Sequence, residues 1–191
     1  MVNIPQKADL VYISFSAEIN TSTTESLIAV MAECANRDVQ KVYLLLSTGG
    51  GTVMDGLNLY HILKGMPFEL ITHNVGNVDS IGNPVFLAGK TRYACPNATF
   101  MFHGVGFNWQ STERLEQKNL EEKLSSLMSD QKRIGKIIVE RTSLNTREVK
   151  SLFKQAVTKD AEFALSKGVI QDIRDVQITA GCPMFSLVFK R

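Results

Sequence analysis

The chain has 191 residues, 44% apolar and 21% charged, the balance of one water-soluble domain large enough to close a core. Lys and Arg number 21 against 19 Asp and Glu, so a formal charge of +2 argues against nucleic acid and anionic membrane as partners. No apolar run approaches a membrane span, and the start MVNIPQKADLVYI lacks the basic and apolar regions of a secretory signal, so a cytoplasmic location is expected.

In chain order, VYISF (Val11 to Phe15) alternates and predicts a first strand. NTSTTE then offers hydroxyl caps and a first-turn Glu to a helix carried by SLIAVMAECAN, whose apolar residues recur at helical spacing. KVYLLL is the continuous apolar run of a parallel strand covered on both faces. STGGGTVMDG follows as a turn, then a helix over VMDGLNLYHILKGM. FELITHNVG predicts a strand, SIGNPVFLAG a helix, and TRYACP and ATFMFHG two short strands. Strand and helix alternating in this way imply a mainly parallel α/β sheet.

From Ser111 the pattern changes to a long helix without proline, with Glu113 near its start. Leu120, Leu124, Leu127, Ile134 and Ile138 recur at steps of three, four or seven. About thirty helical residues would reach ~45 Å, so part of the helix should project and seek a partner subunit. NTREVKSLFKQA and DAEFALSKG predict two further helices, VIQDI a short strand, and the tail GCPMFSLVFKR is apolar enough to pack on something. One domain is expected, with a head at 1–110 and 143–191 and the long helix at about 111–142.

Cys34, Cys95 and Cys182 have no paired spacing and read as reduced thiols. His61, His73 and His103 are dispersed, and neither a metal nor any other cofactor is expected. Three consecutive glycines, Gly49 to Gly51, let something approach the backbone closely: a phosphate, a peptide or a thioester carbonyl. The Lys-Ser/Thr of a phosphate loop and the spacing of a dinucleotide turn are both missing. Ser80, in GNVDSIGNP, sits where a strand passes into a helix, which would expose its hydroxyl, although such a serine can equally be a cap. His103 ends an apolar strand, and a histidine there either fills the rim of the core or serves a serine as base and then acid. With those two together, N–H groups of the glycine turn and of Ile81 could hold an oxyanion.

The series of a Gly-Gly turn after an apolar strand, DGLNLYHIL, DSIG, FLAGKTRYACPNATFMFHG, ERT and EFALSKGVIQDI resembles the Clp protease proteolytic-subunit family of the ClpP/crotonase superfamily, from about Val11 to Ile173. The resemblance implies a βαβ spiral with a projecting handle helix, assembled into rings, commonly two stacked sevenfold ones. It implies serine-type endopeptidase chemistry, with Ser80 as nucleophile, His103 as general base, and Gly51 and Ile81 as oxyanion donors, Gly50 beside them. An AAA+ unfoldase or a ClpP-like paralogue is the implied protein partner. A catalytically silent subunit and an acyl-CoA enzyme of crotonase type are the alternatives.

Departures from the family pattern bear on this. Gly49 replaces a proline, and Ala156 falls where the third catalytic residue, an aspartate, is expected. Asp160 would need a loop shift to substitute for it, Gln155 carries no charge, and Asp79 should point away from His103. Few residues precede Val11, which bears against the axial loops used in docking an unfoldase. The segment after His103 is longer by about one helical turn and brings Phe107 and Trp109, candidates for a substrate groove or for packing.

Overall fold

Alternating and apolar runs become strands where the sequence places them, in a computed structural model that describes residues 4–106 and 116–189. Strands β1 (Val11–Ser16) and β2 (Lys41–Thr48) pair in parallel, Val11 beside Val42 and Phe15 beside Leu46. Helix α1 (Thr21–Asn36) connects them and begins at Asn20. The Asn20 side chain accepts the Thr23 N–H while the Thr23 hydroxyl oxygen accepts the Asn20 N–H, so two end donors are satisfied reciprocally. Leu27, Val30, Met31 and Cys34 then fall on its buried face.

Helix α2 (Val53–Lys64) leads to β3 (Glu69–Asp79), α3 (Gly82–Leu87), β4 (Thr91–Ala94) and β5 (Thr99–Met101). The remaining elements are α4 (Gln117–Arg141), α5 (Thr146–Gln155), β6 (Thr158–Asp160), α6 (Ala161–Ser166), β7 (Asp172–Ile173) and β8 (Met184–Leu187). The sheet runs β6-β5-β3-β2-β1-β8, with β4 joining β3 to β7. Every pairing is parallel except β5 with β6.

Strand β3 serves two neighbours in succession. Ile71 to Asn74 pair with β4, and Asn77 to Asp79 pair with β5. Because Asp79 stands beside Met101 in a parallel pair, Ser80 and His103 both leave the sheet at the carboxyl ends of adjacent strands. That is where open α/β sheets place their sites.

Helix α4 spans 25 residues, or ~37 Å. Its first half stands clear, Leu120, Leu124 and Met128 being 48%, 56% and 62% exposed, whereas Ile134, Ile137 and Ile138 are buried. The amino-terminal half of α4, expected to project as a handle, is thus the exposed half; positions 111–115 of the expected span lie outside the described residues. The buried end is clamped by two arginines. Arg141 donates to the carbonyls of Leu87 and Gly89, and Arg92 donates to those of Gly89, Arg141, Gly168 and Val169. Burial, then the nearby Arg141, pushes the Arg92 guanidinium down to about 10.

The apolar tail pairs its β8 with the outer edge of β1, Tyr12 beside Met184. To reach that edge the chain crosses the sheet face opposite the main core, over a row formed by Tyr12, Tyr43, His73 and Tyr93. His73 is fully buried. Its Nε2–H donates to the Arg174 carbonyl at 3.0 Å, since a carbonyl only accepts, so Nδ1 accepts the Tyr43 hydroxyl at 2.8 Å. Burial holds this imidazole below the ordinary 6.5; the Arg174 carbonyl and Asp175 oppose that, and the Arg174 guanidinium reinforces it. Below pH 6.5 the unfolded chain binds the proton that the folded chain refuses. The stability supplied by neutral His73 should therefore be complete above pH 6.5 and decline as pH falls toward its lower folded value. Denaturant midpoints measured from pH 8 to pH 5 check this, and His73→Gln should flatten that part of the profile.

Candidate active site

Ser80 occupies the residue where β3 breaks and α3 is about to begin, with φ 57, a left-handed conformation rare for a side chain with a β-carbon. Such a conformation costs ~1–2 kcal/mol and turns the hydroxyl out of the sheet. The turn is held by the Ser80 N–H donating to the Met101 carbonyl at 2.8 Å and by the Asn83 N–H donating to the Ser80 carbonyl at 3.1 Å.

The glycine turn lies directly against it. A β-carbon on Gly50, whose φ is +90, would sit 2.7 Å from the Ser80 β-carbon. A β-carbon on Gly51 would fall 2.0 Å from the Ile19 carbonyl oxygen. The Gly50 carbonyl accepts the Ile19 N–H and the Thr52 N–H donates to the Ile19 carbonyl, so the Gly51 N–H is turned the other way. Gly50→Ala should lower the melting temperature by roughly 4–8 °C, from about 2 kcal/mol of backbone strain, and push the Ser80 hydroxyl out of place. Calorimetry checks the first effect, and serine-directed labelling should slow at least ~10²-fold.

His103 lies two residues beyond β5 and is half-buried. Its Nδ1–H donates to the Gly104 carbonyl at 2.7 Å, which fixes the tautomer and leaves Nε2 with a free lone pair. Among the described residues no hydrogen bond joins Ser80 Oγ to the ring.

The candidates for a third member are placed elsewhere. In the β5–β6 pair Thr99 faces Asp160 and Met101 faces Thr158. The ladder ends there: Ala156, the position the sequence assigns to the missing carboxylate, is the left-handed cap of α5, and the Gly104 N–H beside His103 donates to the Phe153 carbonyl of that helix at 3.2 Å. Asp160 lies four residues beyond Ala156, and its carboxylate accepts the Phe163 N–H as the cap of α6. Gln155 is exposed and donates to the Ser151 hydroxyl. Asp79 accepts from the Asn77 amide at 2.7 Å.

Ser80, Ile81, His103 and Gly51 line one cavity of about 100 Å³. Its apolar wall is supplied by Phe102, Ile134, Ile138 and Phe153. The sequence reading assigned Ile134 and Ile138 to the handle stripe, and their second role depends on how α4 crosses the sheet ends. It also overlooked Asn83, a buried amide on the first turn of α3. Phe107 and Trp109 lie outside the described residues. The described residues contain neither a cluster of His, Cys, Asp and Glu able to hold a metal ion nor a helix long and apolar enough to cross a membrane. A hydroxyl and an imidazole with a free lone pair around one cavity, beside a turn whose Gly51 N–H faces away from Ile19, are parts that acyl transfer requires.

The chain is 26% identical over 153 residues to ATP-dependent Clp protease proteolytic subunit 1 of Leifsonia xyli subsp. xyli (strain CTCB07), covering 78% of this chain and 73% of that protein. Its fold is similar to that of a ClpP1 mutant from Listeria monocytogenes, with a TM-score of 0.78 at 17% identity over 87% of this chain and 92% of the other. The family described as Clp protease matches residues 6–177. The α/β spiral with its long helix, the serine-bearing turn and this match together establish that the chain belongs to the Clp protease family.

Proposed function

We propose that the protein is a ClpP-like serine endopeptidase working through a Ser80–His103 dyad. The observation that carries this is the single cavity lined by Ser80, His103, Gly51 and Ile81. Ser80 Oγ attacks the peptide carbonyl while His103 Nε2 takes its proton; the carbonyl oxygen becomes an oxyanion held by the Gly51 and Ile81 N–H groups. The C–N bond breaks as His103 returns the proton to the leaving amine, and water then cleaves the acyl ester by the same path in reverse. In place of a carboxylate, the Gly104 carbonyl orients the ring. It fixes the tautomer but supplies no full charge to stabilise imidazolium, so turnover is slow.

The domain is read as one head carrying a handle, residues 1–110 and 143–191 with about 111–142. It works in the cytoplasm, in rings joined through the handles, with an AAA+ unfoldase or a ClpP-like paralogue as partner. Exposed Leu120, Leu124 and Met128 on α4 support the handle contact. A second reading, a silent subunit assembled with an active paralogue, is favoured by Ala156 standing where the catalytic aspartate is expected. Labelling with a fluorophosphonate decides between them. Mass spectrometry locating the adduct on Ser80, in this chain alone or in its assembly, supports the peptidase; no adduct in either state supports the silent subunit.

A further inference from the structure

Asn83 is 1% exposed and makes two side-chain bonds that link the two halves of the site. Its Nδ2 donates to the Ser80 carbonyl at 3.1 Å and to the Met101 carbonyl at 2.9 Å. Met101 ends β5, two residues before His103. Both bonds run to carbonyls, so the amide orientation is fixed: reversed, its oxygen would face two acceptors. That leaves Oδ1 buried with no hydrogen-bond partner among the described residues, a desolvation penalty that a leucine or serine would avoid.

The amide is not needed to satisfy either carbonyl. The Ser80 carbonyl already accepts the Asn83 N–H, and the Met101 carbonyl already accepts the Ser80 N–H. What the side chain adds is a rigid strut between the serine turn and the strand that delivers the histidine. Residues that hold reacting groups in register are worth about 10²-fold in rate per ångström of misplacement.

We infer that Asn83 is a positioning residue, one that sets the Ser80–His103 separation by tying the Ser80 carbonyl to the Met101 carbonyl. This rests on the peptidase reading above. Asn83→Leu keeps the branching of the side chain, with bulkier methyls, and removes both donors. Asn83→Ser keeps a hydroxyl able to bond the carbonyl three residues back, Ser80, but not Met101.

The test is the fluorophosphonate reaction of the full chain and both variants, resolved into saturation constant and maximal rate, with thermal melts alongside. The expected result is a maximal rate ~10²-fold lower for Asn83→Leu and an intermediate rate for Asn83→Ser. Saturation constants should be unchanged, and the rate loss should not follow the change in melting temperature from one variant to the other. A merely structural amide would lower the melting temperature and leave no graded rate loss. Wild-type maximal rates in both variants with the fold intact overturn the proposal and leave the peptidase reading standing. If the natural chain itself is never labelled, the peptidase reading fails and this proposal with it.

Discussion

An Ala156→Asp variant should react with a fluorophosphonate, and hydrolyse peptides, up to ~10⁴-fold faster than the natural chain. The direction follows from what His103 lacks. Its Nδ1–H is held by the Gly104 carbonyl at 2.7 Å, a neutral acceptor. A carboxylate there would also stabilise the imidazolium formed as Ser80 attacks, and that charge is the larger part of a third member's contribution. Position 156 suits the substitution. Ala156 has φ 50 and ψ 41 and caps α5, a left-handed conformation that Asp adopts more readily than Ala. Folding should therefore be unimpaired, by thermal melt, so a gain in rate reports chemistry. An unchanged labelling rate would mean that the carboxylate does not reach the ring.

Ser80→Ala is the companion experiment, and its size depends on the background. In a complete triad, losing the nucleophile costs of order 10⁶ in turnover, while losing the aspartate alone costs of order 10⁴. The natural chain already carries the second loss, so Ser80→Ala should reduce its peptide hydrolysis by only about 10²-fold. The same change made in Ala156→Asp should remove about 10⁶, because triad members act as a unit and their losses do not add. Rates of the four proteins of this cycle, with labelling abolished in both Ser80→Ala forms, check the argument. Equal drops in the two backgrounds would contradict it.

Much of the site could be read from residue types and order, and the reasons are local. Glycines at 50 and 51 beside a strand end signal close approach by a phosphate, a peptide or a thioester carbonyl; the structure packs protein atoms there as well, the Ser80 β-carbon and the Ile19 carbonyl. Ser80 and His103 were found because each sits at the end of an apolar strand, a feature visible in a short window. Gapless counting puts the missing carboxylate at Ala156, the cap of the helix whose Phe153 carbonyl accepts the Gly104 N–H next to His103. Asp160 was harder to read. A carboxylate three residues before Phe163 has a local use as a helix cap, and that bond holds it. Asn83 escaped because its meaning lies in carbonyls of other segments. Strands β6 and β8 escaped for the same reason: three or four residues of partly polar sequence become strands only when a distant edge accepts them.

The late arrival of β8 has a consequence for biogenesis. Strand β1 leaves the ribosome well before β8, yet one of its two hydrogen-bonding edges is met only by Met184–Leu187. The Tyr12 hydroxyl likewise waits for the Gln177 carbonyl, 165 residues downstream. Through most of translation that edge is an open invitation to any other extended chain. Closure over so long a loop makes pairing with β8 a late, slow step, so nascent chains of this protein should depend on holdase chaperones until the tail has threaded into place.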